Sequence, residues 1–376
     1  MSKRKRRTIA VDCRILSAPP GGSAFYTRHV LKALAKLGVR DDYALIQGPG
    51  AQNGQTIRSP RFRDVMVDDA SLCDERWEQW QMPSQLTELG ADLLLAPTMV
   101  LPALRSCPCV QVIYDLGFEV HASFYTPELR RYLRKWVRLS ARNADHIVTL
   151  SEHARSEITS IYCVPDEKIT TIPGAPAAHF APARRDDIEA TLRRHRISRP
   201  YVLSVASAER NKNLPALIEA FSTACLGAKG GWQLVLTGRA GGGEREIREA
   251  LGRNGIEDRV VMTGFVPDED LPALYSGSEI FAFPSLYEGF GLPPVEALAC
   301  GTAVLCSNAA SLPEVVGDAG LLADPTPESF ADGLETLMGD EKLRSALRVK
   351  GLSRAREFSW EASAKLLLGV IETTVG

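Results

Sequence analysis

No apolar run of about 18 residues, the length a helix needs to cross a bilayer, occurs anywhere in the 376-residue chain. Nothing in the sequence therefore reads as a membrane span. Charge of one sign is lacking too: 44 Lys and Arg face 46 Asp and Glu, for a net −2. Without a basic surplus, a general nucleic-acid binder is excluded. The eight cysteines and six histidines never take the spacing of a redox dithiol, a zinc knuckle or a paired metal ligand. Cys107-Pro108-Cys109 is the only close pair and reads as incidental. No Gly-x-Gly-x-x-Gly follows the first apolar strand, and Gly48-Pro49-Gly50 has no third glycine in place, which sets a dinucleotide oxidoreductase aside. Tandem repeats, low-complexity tracts and a secretory signal are missing as well. Scattered cysteines without such a signal predict a reduced, cytoplasmic setting.

What the chain does have is enough apolar residue, 45%, for buried cores, and a length that usually divides into two domains. Charge is uneven along it. Residues 1–199 carry 29 Lys and Arg against 22 Asp and Glu, whereas residues 200–376 carry 15 against 24. A basic front and an acidic rear suggest two modules with different partners. Short apolar runs alternate with helical patterns throughout. Strands are predicted at Thr8–Cys13, Tyr43–Gln47, Leu93–Ala96, Val110–Tyr114 and His146–Leu150, with helices at Ala24–Leu37, Trp77–Thr87, Pro127–Asn143 and Glu152–Tyr162. After a Pro/Ala- and Arg-rich link at Gly174–Pro200, the alternation restarts with strands at Tyr201–Val205, Gln233–Thr237, Val260–Thr263, Ile280–Pro284 and Ala303–Cys306. Helices fall at Leu214–Cys225, Glu244–Arg253, Pro293–Ala299 and beyond Pro327. This is an α/β chain of two doubly wound, Rossmann-like units with a cleft expected between them. The predicted division is 1–185, 186–357 and a terminal helix at 358–376 that packs back on the first domain.

The most informative stretch is Phe283-Pro284-Ser285-Leu286-Tyr287-Glu288-Gly289-Phe290-Gly291-Leu292-Pro293-Pro294-Val295-Glu296. A strand runs into a two-glycine loop, a helix starts near Pro293, and Gly301 closes it. Free backbone N–H groups at such a helix start, together with the aligned peptide dipoles, favour an anion. Glu288 and Glu296 bracket the spot, separated by about 12 Å at helical rise, a span comparable with that of a nucleotide sugar. Each carboxylate accepts hydrogen bonds from hydroxyls, as a ribose diol or a hexose would offer.

The Glu-x7-Glu pair within Pro-Ser-x-x-Glu-Gly-Phe-Gly-Leu-Pro resembles the signature of the family 4 retaining glycosyltransferases, which have the GT-B fold. Further resemblances are Glu209-Arg210-Asn211-Lys212-Asn213-Leu214, Thr263-Gly264-Phe265-Val266, Ser311-Leu312-Pro313-Glu314-Val315 and Phe358-Ser359-Trp360. Tyr114-Asp115-Leu116, Ser151-Glu152 and Gly21-Gly22 have looser counterparts in the first domain. The resemblance implies that Glu296 binds the ribose and Glu288 holds the transferred sugar. It gives the backbone of Gly289, Phe290, Gly291 and Leu292 to the sugar and pyrophosphate, and Arg210 and Lys212 to the pyrophosphate. Phe265 and Val266 would flank the base. Gly21 and Gly22 would let backbone approach the phosphates, and the loop at Gly238 also belongs to the donor side. Two positions depart from the family: Asn211 stands where Arg usually precedes the Lys, and Tyr114 stands where His usually precedes the Asp.

The reaction implied is transfer of a hexose with retention, by front-side attack in which a donor phosphate oxygen takes the acceptor's proton. The helix start, Lys212 and Arg210 would stabilise the leaving diphosphate. No metal or other cofactor is expected. Asp268-Glu269-Asp270 has the letters of a metal motif but sits where acids favour a helix start. In the first domain, Asp115 could orient an acceptor hydroxyl or cap a turn, and His121 could stand in for the missing His. The helix 127–143 carries Arg130, Arg131, Arg134, Lys135, Arg138 and Arg142 opposed within it only by Glu128. Such a face fits an anionic membrane surface or a polyprenyl-diphosphate-linked acceptor, and hence a peripheral place at the inner face of the plasma membrane. GDP-mannose is the donor first expected, with UDP-sugars next, and a glycan or lipid-linked glycan is the acceptor. A nucleotide-sugar epimerase of the same fold and a non-catalytic glycosyltransferase-like subunit are the competing readings.

Overall fold

The computed structural model describes residues 6–17, 21–49, 57–68, 72–227 and 230–376. Parts of the basic N-terminal run (Lys3, Arg4, Lys5), of the first glycine loop (18–20) and of Gly48-Pro49-Gly50 (Gly50) lie outside the described residues. The chain divides into two compact units: residues 1–174 with 359–376, and residues 175–358.

The first unit is built on a seven-stranded parallel sheet. In chain order its strands are β1 (Thr8–Asp12), β2 (Asp42–Gln47), β3 (Phe62–Met66), β4 (Leu93–Ala96), β5 (Cys109–Val112), β6 (His146–Thr149) and β7 (Ile169–Thr171). Their spatial order is β3-β2-β1-β4-β5-β6-β7. Central strands such as Leu93–Ala96 are buried at every position, because helices cover both faces of a parallel sheet. The edge strand β3 is instead half open and carries Arg63 and Asp64, which hid it from the sequence reading. A cluster around Ala10, Leu94, Ile113, Phe118, Val137 and Ile147 fills one side of this sheet. The terminal helix Trp360–Val375 belongs to this unit. Trp360 stacks on His29 with centroids 5.3 Å apart and meets Tyr26 edge-on at 5.6 Å. The Ser363 hydroxyl donates to the Pro173 carbonyl at 2.7 Å.

The second unit has a six-stranded parallel sheet. Its strands are β8 (Tyr201–Val205), β9 (Gln233–Thr237), β10 (Val260–Gly264), β11 (Ile280–Phe283), β12 (Ala303–Ser307) and β13 (Gly320–Ala323), in the order β10-β9-β8-β11-β12-β13. Residues 175–185, grouped with the first domain in the sequence reading, pack here. Phe180 lies edge-on to Tyr275 at 6.0 Å, and the Ala183 N–H donates to Ser276 Oγ at 2.9 Å. The adjoining helix Arg185–His195 sends Arg194 to Asp270. Gly238 follows β9 where it crowds the end of β8: a Cβ there would lie 1.9 Å from the Ala206 carbonyl oxygen. Only glycine lets the two strand ends come this close.

Candidate donor site

The loop leaving β11 is held by backbone and side-chain amide contacts rather than by a regular ladder. Leu286 N–H donates to the Asn211 carbonyl at 2.8 Å, and Asn213 Nδ2 donates to the carbonyls of Pro284 (3.3 Å) and Pro325 (3.0 Å). Asn213 takes a left-handed conformation, φ 54°, which Asn tolerates better than most residues. These bonds clamp the short turn Arg210–Lys212 onto the loop, and the clamp places Lys212. Its Nζ donates to Glu288 Oε1 at 2.5 Å, over the Phe283 ring at 5.6 Å. The same carboxylate oxygen accepts from Ser285 Oγ at 2.6 Å. The side chains of Lys212 and Glu288 are 19% and 13% exposed, so the pair is reachable but largely out of water.

Beyond Glu288, the Ser311 hydroxyl bonds the carbonyls of both Glu288 and Phe290 at 2.9 Å. It turns those carbonyls aside and holds the Gly289–Gly291 backbone in one shape. Gly291 caps the helix Leu292–Ala299 at φ 105°, where a Cβ would meet Leu312 at 2.6 Å. The N–H groups of Gly289, Phe290, Gly291 and Leu292 make no hydrogen bond to any described residue. Pro293 and Pro294 have no N–H to offer, so the free donors come from the loop and the first helical residue rather than from the whole first turn.

Glu296 is buried rather than solvent-facing. Its Oε2 accepts from the Tyr275 hydroxyl at 3.0 Å. Burial pushes its carboxyl up to about 7; the Asp268 charge acts in the same direction and the Tyr275 hydrogen bond opposes it. Arg210 points elsewhere: its guanidinium pairs with Glu246 at 3.0 Å, and its side chain is 57% exposed. Phe265 is exposed under the Arg239 guanidinium, 4.9 Å above its ring, while Val266 is buried. The Asp268-Glu269-Asp270 run does not cap through a side chain. Asp270 gives its carboxylate to Arg194, 2.6 Å away, and that bond holds its pKa below the usual carboxylate range. No cluster of His, Cys, Asp and Glu fit for a metal occurs among the described residues.

In the first unit, Gly21 stands in extended backbone at the cap of the helix Gly22–Lys36, and a Cβ on Gly22 would meet nothing within 4 Å. Asp115 Oδ1 accepts from the Gly117 N–H at 2.8 Å, which makes it a turn cap. Tyr114 is buried with its hydroxyl 3.0 Å from Thr27 Oγ1, and burial raises its pKa. His121 stacks on Phe124 at 4.9 Å. The helix Pro127–Asn143 is less free than its sequence suggests. Arg134 pairs with Glu119 at 2.7 Å and Arg138 at 3.8 Å, Lys135 reaches Glu75 at 3.2 Å, and Arg130 bonds the Phe118 carbonyl. Those opposing acids lie outside the helix, so its own residues could not reveal them. Among the described residues, no helix is long and apolar enough to cross a membrane.

Sequence reasoning missed Ser285, Ser311, Asn213 and Tyr275. The first three lie within quoted motifs, where a hydroxyl or amide near a glycine loop was the available signal. Tyr275, 21 positions from Glu296, carried none.

Two parallel α/β units and an anion-ready loop bracketed by carboxylates define a glycosyltransferase of the GT-B architecture. Known proteins agree. Residues 20–175 match the family model "Glycosyltransferase Family 4", and residues 187–354 match "Glycosyl transferases group 1". The O-antigen chain mannosyltransferase B of Escherichia coli is 30% identical over 313 residues, 83% of this chain and 81% of that one. The MMP alpha-(1->4)-mannosyltransferase of Mycolicibacterium hassiacum is 31% identical, covering 94% of this chain and 95% of that one. The sucrose-phosphate synthase of Thermosynechococcus elongatus superposes with a TM-score of 0.78 at 21% identity, covering 98% of this chain and 99% of that structure. The chain belongs to the family 4 glycosyltransferases and is a mannosyltransferase-like hexosyltransferase.

Proposed function

We propose that the protein transfers mannose from GDP-mannose to a glycan chain, with retention and without a metal ion. The observation that carries this reading is the Lys212–Glu288 pair beside the unbonded N–H groups of Gly289–Leu292. The two similar mannosyltransferases support the choice of sugar. Lys212 and Glu288 neutralise each other. An arriving diphosphate competes for the ammonium, and the carboxylate it releases is then able to accept the hydroxyls of the sugar. Charge growing on the leaving diphosphate meets Lys212, already drawn from Glu288 when the donor binds, and the loop N–H groups. Glu296 accepts the ribose hydroxyls, and Phe265 offers an exposed ring to the base. Arg210, turned to Glu246, plays the lesser part, and Asp115 shapes its own loop. Of the cations on the helix 127–143, Arg131 and Arg142 remain for an anionic headgroup or a polyprenyl diphosphate, a weaker site than the sequence predicted. The reading is tested by thermal shift against GDP, UDP, ADP and their sugars. Selective stabilisation by GDP and GDP-mannose is expected; stabilisation by UDP alone would move the donor assignment, and none at millimolar concentration would remove it.

A further inference from the structure

At the outer edge of the first sheet, the end of β3 (Met66, Val67, Asp68) and the segment Arg76–Gln85 enclose an open cavity of about 540 Å³. This lies within the range of small-ligand sites, roughly 300–1,000 Å³. Trp77 seals the floor, 1% exposed, with the Arg14 guanidinium 4.1 Å from its ring. Trp80 does the opposite: 73% of it is exposed, beside Met66 at 60%. Trp77–Gln81 is wound as a π-helix, a rare winding that recurs at functional sites. It places a buried and an open indole three residues apart. Around the cavity, the side chains of Asp68, Arg76, Gln81 and Ser84 form no hydrogen bond or ion pair with any described residue. An open indole face ringed by unspent carboxylate, guanidinium, carboxamide and hydroxyl groups matches a pyranose. One face of that ring is apolar C–H and its rim is hydroxyl.

We propose that this groove holds a sugar of the acceptor chain several units away from its growing end. The proposal rests on the reading of the protein as a transferase to a glycan. The place in the sheet fixes the distance: at strand spacing, the end of β3 lies about 10 Å from that of β1 and about 19 Å from that of β5. Loops after β1 and β5 carry Gly21 and Asp115. A short acceptor cannot touch both those loops and Trp80, whereas a chain of several sugars can. The groove therefore selects for acceptor length and acts on acceptor binding, not on the chemical step.

The test uses the full chain and needs no donor. Titration calorimetry with α-linked mannotetraose, glucotetraose and free mannose is expected to show binding of a tetraose and none of mannose. Trp80→Ala should weaken tetraose binding by roughly threefold to tenfold, the range given by aromatic stacking, with Trp80→Phe in between. In transfer assays, Trp80→Ala should raise KM for long acceptors while leaving kcat, donor KM and short-acceptor kinetics unchanged. Equal tetraose affinity in wild type and Trp80→Ala, or no tetraose binding in either, overturns the proposal. So does loss of sedimentation with phosphatidylglycerol vesicles in Trp80→Ala without any effect on sugar binding. Binding of glucotetraose alone supports the groove and makes the acceptor chain a glucan. A sound titration beside a dead transferase assay strikes the proposed function and leaves the groove.

Discussion

Replacing Lys212 with Ala separates two consequences of one contact. At 2.5 Å and an effective dielectric of about 20, the gross attraction between Lys212 and Glu288 is about 6–7 kcal/mol. Most of that is offset by desolvation. Stripping one partner from a fully buried pair costs about 3–5 kcal/mol. Here the side chains are 19% and 13% exposed, which trims the loss to roughly 2–3 kcal/mol. For a unit of this size the melting temperature should fall by roughly 4–12 °C. Glu288 would keep only the Ser285 hydroxyl on the oxygen that Lys212 now shares. The second consequence is chemical: losing one fixed stabiliser of developing charge lowers kcat by about 10²–10³. Calorimetry of unfolding and a steady-state transfer assay read the two effects on the same protein. Adding Glu288→Gln to Lys212→Ala removes the stranded charge, so stability should recover while turnover stays low. Turnover within threefold of wild type, or a double variant less stable than Lys212→Ala, would refute the reasoning.

Further predictions follow from individual contacts. Donor affinity should rise about tenfold from pH 6 to pH 8, because Glu296 titrates near 7 and binds ribose hydroxyls best when ionised. Glu296→Gln should flatten that profile in a fluorescence or calorimetric titration. The sign for stability is opposite. The folded pKa of Glu296 exceeds its ordinary 4.5, so the contribution of the neutral carboxyl is full below about 4.5 and lost as pH rises through 7. Arg14→Leu should destabilise by about 3–5 kcal/mol in urea unfolding: Arg14 is buried between Asp12 (2.7 Å) and Glu78 (3.4 Å), and its loss leaves these two buried carboxyls only the hydroxyls of Thr98 and Tyr132 in place of a cation. Gly238→Ala should yield little soluble protein on expression, since the added methyl overlaps the Ala206 carbonyl. Arg210→Ala should lower kcat/KM by less than about tenfold, as expected of a solvent-exposed ion pair; a loss as large as that of Lys212→Ala would return Arg210 to the pyrophosphate.

The alternation of short apolar strands with amphipathic helices is local information, and it was legible for most of the chain. The helices Pro127–Asn143 and Glu152–Tyr162 and the strands β8 and β9 lie where periodicity put them. The loop-to-helix boundary after β11 was legible too, because glycines and prolines at fixed offsets in one segment set the backbone locally: Gly291 caps the helix Leu292–Ala299 close to where Pro293 placed its start. Strands β3, β7 and β13 were not. Phe62–Met66 is charged on its open face, Ile169–Thr171 is three residues long, and Gly320–Ala323 starts on a glycine. Each is a strand because a neighbour pairs with it, a cause that lies in another part of the chain.

The same division runs through the site. The sequence by itself determined the class of protein, a glycosyltransferase of two α/β units, and singled out the helix start at Gly291, the carboxylates Glu288 and Glu296, and Lys212, whose roles toward a donor are proposed above. Tertiary structure alone decided which charges are spent and which are free. Arg210 went to Glu246, Asp270 to Arg194, and three of the six cations of the basic helix to Glu119 and Glu75. Lys212 met Glu288, and Glu296 met Tyr275. Residue type fixes what a group can do at hydrogen-bonding range. Which partner comes within that range depends on the packing of segments far apart in the chain, and a charge already paired is no longer available to a ligand.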